Sequence, residues 1–236
     1  MRLDRPAQIR WEIRPKPGGG ARRLVRLGRT SDVDYRRVVV RSAARIERSL
    51  GPGVFANRAD TAGGVRPWRP ARLAWRHAVL RAIAHEGAHV AMAVGDVRAC
   101  FPSIGDGALH RAGLADDDLL RLLGTFREGG VRGLPVGPEP SAILANAVLA
   151  IADRAMLAAV GHHPIRWVDD VILVTAGRRE AIRALDAWRR ALAELGLEPN
   201  EDKTRILEDA REGGKLILGR APSAAQRAER GIIAWP

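Results

Sequence analysis

Residues 166–175 read Arg166-Trp167-Val168-Asp169-Asp170-Val171-Ile172-Leu173-Val174-Thr175 and place two adjacent carboxylates inside an apolar, β-branched run. Such a run predicts buried strand, and the Asp-Asp pair predicts a tight turn within it. Two strands joined at their tip by paired carboxylates form a hairpin that holds negative charge at a fixed point, where repulsion between the carboxylates favours a bound cation. For an isolated Asp-Asp pair, a solvated turn is the alternative.

A third carboxylate upstream favours the metal site over the solvated turn. Asp96 follows the apolar segment 89–94, which predicts a second buried strand. Helices, the Asp-Asp hairpin, a helix at 178–195 and a last strand near 205–207 follow in order. This order predicts an α+β fold with a split β-α-β arrangement, in which an antiparallel sheet carries helices on one face. It brings the three carboxylates to neighbouring strands, where they can bind two Mg²⁺ ions.

Length and charge limit the classes of function. The chain has 236 residues, 46% of them hydrophobic, which fits one domain or a large and a small lobe that share a core. The formal net charge of +12 points to a polyanionic partner, most simply nucleic acid. Because arginine is used heavily throughout, codon bias remains the alternative explanation.

Cysteine usage and hydropathy bear on the cellular setting. The single cysteine, Cys100, excludes a disulfide framework and a Cys-rich zinc site, and we expect a reducing, cytoplasmic location. No apolar run approaches the roughly 18 residues that a membrane span needs, and residues 1–4 do not resemble a signal peptide. We therefore expect no membrane association.

Two stretches near the N-terminus carry cations beside turns. The alternating segments 9–14 and 22–27 flank a glycine-rich tip, which predicts a hairpin with Lys16 and Arg22 near its end. Such a tip can close over a triphosphate, although glycine-rich hairpins are common. The loop that follows places Arg66 and Arg69 around a tryptophan, which suits contact with a phosphodiester backbone or a base. A solvated loop is the equal alternative there.

Helices are predicted in four further segments. One runs from Ser31 or Asp32 to Leu50, and others cover 71–86, 141–160 and 178–195, with apolar residues at helical spacing. The acidic triplet 116–118 is interpreted as the N-terminal cap and dipole partner of a helix rather than as a set of metal ligands.

Together these motifs resemble a reverse transcriptase of the bacterial type, over roughly residues 9–219. The matching stretches are 15–24 in the fingers, 95–104 in the first palm motif, 133–138 with Ser141 and Asn146 in the second, 167–170, 197–204 with Lys203, and 216–219, which resembles the primer-grip strand. The resemblance implies a fingers subdomain at 1–88, a polymerase palm at 89–219 and a short tail at 220–236. It implies RNA-templated DNA synthesis from deoxynucleoside triphosphates on a DNA or RNA primer.

The resemblance also implies a role for individual residues. Asp96, Asp169 and Asp170 would hold two Mg²⁺ ions, or Mn²⁺ in their place, with the backbone carbonyl of Val97, and Lys203 would protonate the leaving pyrophosphate. The remaining implied contacts are Lys16 and Arg22 with the triphosphate, Phe101 with the sugar, Gly137 and Ser141 with the nascent base pair, and Trp167 with the primer end. Phe101 as a simple core residue is the alternative for that position.

Departures from the family pattern carry information of their own. Trp167 stands where the family usually has Tyr or Phe, and Val136 stands where it commonly has Gln. The sequence Val136-Gly137-Pro138 resembles that of the divergent reverse transcriptases found in phage-defence systems. After residue 219 only 17 residues remain (236 minus 219), too few for a helical thumb. A further protein, a structured RNA or a second copy is therefore expected to supply that surface.

Two rival functions share this sequence pattern. A non-catalytic nucleic-acid-binding subunit would retain the fold, but it has no reason to keep three carboxylates that repel one another. An RNA-templated RNA polymerase shares the palm and its carboxylates, and the aromatic Phe101 argues for deoxynucleotides instead.

Overall fold

The computed structural model describes residues 6–15, 19–60, 64–87 and 90–218. Within these ranges the strands are β1 Ile9–Pro15, β2 Ala21–Leu27, β3 Ala91–Gly95, β4 Ile165–Trp167, β5 Asp170–Thr175 and β6 Arg205–Leu207. The helices are α1 Arg29–Ser49, α2 Trp68–Glu86, α3 Cys100–Ser103, α4 Asp106–Arg111, α5 Asp117–Glu128, α6 Glu139–Val160, α7 Arg178–Glu194 and α8 Ala210–Leu218.

The central sheet has the strand order β4-β5-β3-β6, and every neighbouring pair in it is antiparallel. β1 and β2 form a separate antiparallel ribbon near the N-terminus. The predicted Asp-Asp hairpin is therefore β4-β5, and the predicted strand before Asp96 is β3. This mixture of helices and antiparallel sheets agrees with the predicted α+β class.

One face of the central sheet belongs to the main core. Ala91 and Ala93 of β3 and Val171 and Leu173 of β5 point to this face. They pack with α6 and α7, including the buried Trp188 of α7. These are the helices that the sequence predicts on the sheet.

The prediction that helices cover only one face is wrong. Met92, Ile172 and Val174 point to the second face and pack against α2 and α8, through Trp75 and Ile217 among others. β3 and β5 read as continuous apolar runs rather than as alternating ones because both of their faces are buried.

Residues 216–218 end a helix and do not form the predicted primer-grip strand. α8 lies against α2 and β6, with Ile217 buried. A Cβ at Gly213 would overlap the end of the Met92 side chain, so a larger residue there would require that flexible side chain to move. Residue 219 lies outside the described ranges.

The long helix α6 bears on the prediction that the chain has no segment able to span a membrane. Contrary to our interpretation of the sequence, this 22-residue helix is long and apolar enough to span a membrane, the one such helix among the described residues. Most of it is buried in the protein core, where Leu144 and Val148 lie among α1, α7 and the sheet. Burial of nearly its whole circumference explains its apolar composition.

Helix starts differ slightly from the prediction. α1 begins at Arg29 after Gly28, so neither Ser31 nor Asp32 caps it, and α2 begins at Trp68 rather than at residue 71. Asp116 accepts a hydrogen bond from the N–H of Leu119 at 2.9 Å, which confirms it as the α5 cap. The subdomain boundary predicted at residue 88 stays a prediction, although α2 already packs on the central sheet.

Candidate active site

The three predicted carboxylates converge at one end of the central sheet. β3 pairs with β5 in a register whose last partners are Gly95 and Val171. One further step along both strands places Asp96 opposite Asp170, while Asp169 occupies the turn between β4 and β5. Antiparallel pairing thus unites residues that are more than 70 positions apart in the chain.

The turn that carries Asp169 is strained. Trp167 pairs with Asp170, so Val168 and Asp169 form a two-residue hairpin loop. Val168 has a φ of 57°, which a β-branched residue rarely adopts. Strain of this kind, about 1–3 kcal/mol, persists only where surrounding structure imposes it.

Asp96 is almost enclosed and fully engaged by the segment before β6. Only 6% of it is exposed; its Oδ1 accepts from Lys203 Nζ at 3.0 Å, and its Oδ2 accepts from Asn200 Nδ2 at 2.7 Å. The Asp96 carbonyl also accepts from the Asn200 N–H at 2.7 Å. Lys203 and Asn200 therefore hold the first carboxylate in place, and the sequence had not assigned Asn200 a role.

The carboxylates destabilise one another's charge. Part of Asp170 faces solvent, but loss of hydration in the concave site, with the charges of Asp169 and Asp96, raises its pKa to about 7. Desolvation and the Asp96 charge also raise the pKa of Asp169. Desolvation acts to lower the pKa of Lys203, but its hydrogen bond to Asp96 and the nearby carboxylates outweigh this and raise it.

The donor set suits a hard divalent cation, although it is not a closed metal cage. Within the described ranges, no group of three or more His, Cys, Asp or Glu side chains is gathered tightly enough to hold an ion by itself. Carboxylate oxygens are nevertheless the ligands that Mg²⁺ prefers, and Mg²⁺ usually takes only one or two of them from the protein, with the rest from water and phosphate. Desolvation, followed by the charges of Asp169 and Asp96, raises the pKa of Asp170, and a bound divalent cation would act in the opposite direction.

The predicted role of the Val97 carbonyl as a metal ligand stays a prediction, and the structure gives the backbone pairing on either side of it. Asp96 and Arg98 direct their backbone groups to residues 198–200, through Arg98 N–H to Glu198 O at 2.8 Å and Asn200 N–H to Asp96 O. Val97 pairs with Pro199 between these two bonds, and because backbone groups alternate along an extended segment, its carbonyl points away from residues 198–200.

The β1-β2 ribbon reaches the site through Arg22. Arg22 lies on β2 opposite Arg14, and its positive charge acts to lower the pKa of Asp169. β2 is fixed to the second motif by the Val25 N–H, which donates to Val136 O at 2.7 Å. Gly137 permits this approach, since its φ is 125° and a Cβ there would lie 2.9 Å from Val25 O. Lys16 lies outside the described residues.

A cleft of about 840 Å³ opens beside the Val168-Asp169 turn, with Trp167 and Val168 in its wall. It brings together five residues predicted from sequence to contact nucleotide or nucleic acid: Arg66, Arg69, Phe101, Gly137 and Trp167. Its other lining residues include three arginines that sequence reasoning missed, Arg36, Arg72 and Arg76. Arg36 lies on α1, and Arg72 and Arg76 lie one helical turn apart on α2. Nothing in the sequence distinguishes them from other helical arginines, and only the fold shows that all three face the cleft.

Aromatic and cationic side chains interleave in the cleft wall. The Arg72 guanidinium lies 4.0 Å from the ring centroid of Trp75 and 4.8 Å from that of Trp167. Arg69 lies over the exposed Trp68 at 5.7 Å. Stacked arginine and indole groups of this kind bind nucleotide bases and backbone in other proteins.

Phe101 lies between the main core and the cleft, and its predicted contact with the sugar stays a prediction. Its ring is partly buried against the main core and also lines the cleft, close to Gly137 and Val168. Its carbonyl accepts from the Leu134 N–H at 2.9 Å, which ties the first and second motifs together.

Ser141 does not line the site as predicted. It is fully buried, and its hydroxyl lies 3.0 Å from the Tyr35 hydroxyl across the α1-α6 interface. A side chain enclosed in this way cannot contact a nucleotide. The residues of this segment that line the cleft are Pro138, Glu139 and Ala142.

Sequence reasoning also missed a buried network behind the turn. Arg166 is 2% exposed, and its Nε donates to Asp153 Oδ2 at 2.8 Å. Its Nη1 donates to Asn146 Oδ1 at 2.9 Å and to Val168 O at 2.8 Å. The sequence did hold one indication of this network. Asp153 and Arg166 each lie inside an apolar segment, and because buried charges need partners, their opposite charges could have been paired.

The chain was compared with curated proteins and with protein families. No curated protein matches the chain. Residues 124–219 match the family described as reverse transcriptase (RNA-dependent DNA polymerase). The matched segment contains the second motif, the Asp-Asp hairpin and Lys203, and it begins after Asp96 and the β1-β2 ribbon. Over residues 124–219 the match confirms the resemblance to reverse transcriptases that the motifs predict.

Proposed function

We propose that this protein is an RNA-directed DNA polymerase that extends a primer on an RNA template from deoxynucleoside triphosphates. The observation that carries the proposal is the convergence of Asp96, Asp169 and Asp170 with Lys203 at the end of a cleft lined by arginine and tryptophan. The family match supports a nucleotidyltransferase in general terms.

In this proposal the carboxylates and the Val97 carbonyl hold two Mg²⁺ or Mn²⁺ ions. The ions would supply activation of the attacking hydroxyl and neutralisation of charge on the triphosphate. The residues of the chain supply the rest: Arg22 faces the triphosphate from the β1-β2 ribbon, and Phe101 and Gly137 bound the space for sugar and base. Lys203, whose side chain is 61% exposed, would give a proton to the leaving pyrophosphate.

The cleft is proposed to hold template and primer. Arg66 is 58% exposed and only weakly engaged by Glu47 at 3.8 Å, so its charge remains accessible to a phosphate. Trp167 lies next to the catalytic turn, where it would pack against the primer end. Additional surface is proposed to come from a protein, a structured RNA or a second copy, and the biological setting to be cytoplasmic anti-phage defence.

A primer-extension assay tests the function. The purified protein is given an RNA template, a primer and Mg²⁺, with deoxynucleotides in one reaction and ribonucleotides in the other. Extension with deoxynucleotides alone is the expected result, and equal use of both sugars would indicate an RNA polymerase instead. No extension with either, despite tight binding of primer–template, would indicate a non-catalytic subunit.

The same assay tests the need for a partner. A dilute monomer is expected to add few nucleotides before it releases the duplex. Long products from a verified monomer, with no added protein or RNA, would contradict the proposed partner.

A further inference from the structure

Arg166 is the one residue of the β4-β5 hairpin with a buried charge, and the proposed mechanism gives it no role. Its guanidinium makes five hydrogen bonds, all to buried or partly buried acceptors. They run from Nε to the two Asp153 oxygens at 2.8 and 3.1 Å, from Nη1 to Asn146 Oδ1 at 2.9 Å and Val168 O at 2.8 Å, and from Nη2 to Asn146 O at 3.2 Å.

The bond to Val168 O acts directly on the catalytic turn. Val168 adopts a φ of 57°, which is costly for a β-branched residue, and the next residue is Asp169. A donor that fixes the Val168 carbonyl fixes the peptide group that leads into Asp169. The direction of the Asp169 carboxylate therefore depends on this bond.

The other bonds fix the guanidinium itself. Asp153 and Asn146 both lie on α6, the buried central helix of the fold. Asn146 is fixed in turn, because its Nδ2 donates to Ala56 O at 2.8 Å and Asn57 O at 3.1 Å. Asn57 lines the cleft, so the same network touches the cleft wall and the catalytic turn.

We propose that Arg166 is a positioning residue, which holds the strained Val168-Asp169 turn against α6 and thereby sets the place of the Asp169 carboxylate. The inference rests on the proposed function only in taking Asp169 as a metal ligand. A simple structural ion pair would need Asp153 alone. The bonds to Asn146 and Val168 require the planar fork of a guanidinium, which a lysine ammonium cannot replace.

The first test is Arg166→Lys, which keeps the charge beside Asp153 but loses the fork. Since a misplacement of about 1 Å at a catalytic group costs on the order of a hundredfold in rate, a fall of that size in kcat is expected. The KM for primer–template should change little, because the cleft residues are intact. Arg154→Lys, an exposed position on the same helix, is the matched control and should leave both constants unchanged.

The second test is rescue by Val168→Gly in the Arg166→Lys background. Glycine adopts a positive φ without strain, so the turn no longer depends on the guanidinium to the same degree. Recovery of about tenfold in kcat is expected, out of the hundredfold lost. No recovery in the double variant would mean that Arg166 acts through the packing of β4 on α6, which would overturn the proposal. If Arg166→Lys does not fold, Asn146→Ala removes the acceptor that aims the guanidinium, and the same rescue is then measured.

A third measurement does not depend on polymerisation. Mn²⁺ binding to the wild type and to Arg166→Lys is measured by calorimetry, with Asp169→Asn as the variant that lacks a ligand. Weaker binding by the lysine variant, and its partial recovery with Val168→Gly, is the expected result. Equal affinity in wild type and Arg166→Lys would overturn the positioning role even if the wild type polymerises. If the wild type shows no primer extension but Arg166→Lys still binds Mn²⁺ more weakly than the wild type does, the proposed function is overturned and the positioning role stands.

Discussion

The ammonium of Lys203 lies 3.0 Å from Oδ1 of Asp96, so the proposed proton donor forms an ion pair with a proposed metal ligand. Asn200 occupies the other oxygen of the same carboxylate at 2.7 Å. Both oxygens of this carboxylate therefore already accept a hydrogen bond. A cation placed at Asp96 would have to use the lone pairs that Lys203 and Asn200 leave, or displace one of the two donors.

Replacement of Lys203 by arginine should separate charge from proton transfer. Arginine keeps the ion pair with Asp96 but hardly gives up its proton, so kcat for nucleotide addition should fall by about a hundredfold. Single-turnover kinetics at saturating Mg²⁺ measure this effect. Lys215→Arg, an exposed lysine on α8, is the control and should behave as the wild type. An unchanged rate in Lys203→Arg would exclude lysine as the proton donor.

Removal of a carboxylate should abolish chemistry without loss of the fold. Asp96→Ala and Asp169→Ala should each reduce nucleotide incorporation below detection, because neither variant can hold both ions. Far-UV circular dichroism and RNA binding should remain close to those of the wild type, since the carboxylates repel one another. Asp186→Ala, an exposed carboxylate on α7, is the control. Near-normal incorporation by either site variant would refute the two-metal assignment.

Asp170→Asn should stabilise the metal-free protein, and the gain should depend on pH. The pKa of Asp170 is raised from 3.8 to about 7, so the folded state binds more protons than the unfolded state between these values. Wild-type stability should therefore fall as pH rises through this interval, whereas the asparagine variant escapes the loss. Thermal unfolding at pH 5 and pH 8 measures the difference, which should be larger at pH 8. Addition of Mg²⁺ should raise the wild-type Tm and shrink the difference.

Loss of a cleft arginine should reduce the salt dependence of nucleic-acid binding. Each neutralised phosphate contributes about −0.9 to the log–log slope of affinity against salt on a B-form duplex, so Arg66→Ala or Arg69→Ala should reduce the slope by about one. Fluorescence anisotropy with a primer–template at several salt concentrations gives the slope. Arg179→Ala, on the exposed side of α7, should leave it unchanged. An affinity independent of salt would mean that the net charge of +12 reflects codon usage.

Phe101→Ala should relax selection against ribonucleotides. The ring lines the cleft beside Gly137, where it would leave a 2′-hydroxyl without space or a partner. Burial of an unpaired hydroxyl costs about 1–3 kcal/mol, so the wild type should prefer deoxynucleotides by at least about tenfold. Single-nucleotide incorporation with matched sugars measures the preference, and Phe55→Ala, a partly buried phenylalanine of the second core, is the size-matched control. Unchanged selectivity in Phe101→Ala would assign the ring to the core alone.

The features that could be predicted from the sequence are those encoded by short local patterns, such as strand ends, tight turns and a helix cap. Asp96 and the Asp-Asp hairpin could be placed together because each ends an apolar strand, and antiparallel pairing follows from a tight turn. The β1-β2 ribbon and β6 were predicted for the same reason, since alternation and turn residues are local signals. The cap at Asp116 is likewise a local signal.

Other features depend on contacts that no local pattern encodes. The inward turn of Ser141 depends on Tyr35, which is 106 positions away in the chain. The helix at 210–218 forms where α2 offers an apolar surface over Met92, and a short apolar segment read alone fits a strand equally well. The cleft arginines and the Arg166 network could not be predicted for the same reason. In both cases the residues that come together lie on different helices and strands.

The bond between Val25 N–H and Val136 O divides the β1-β2 ribbon into an anchored part and a part with no such bond. It fixes the ribbon at Val25 to the loop that precedes α6, and the absence of a side chain at Gly137 makes this junction tight. A displacement of the ribbon that kept this bond would leave Val25 in place and would move the segment of β2 on which Arg22 lies.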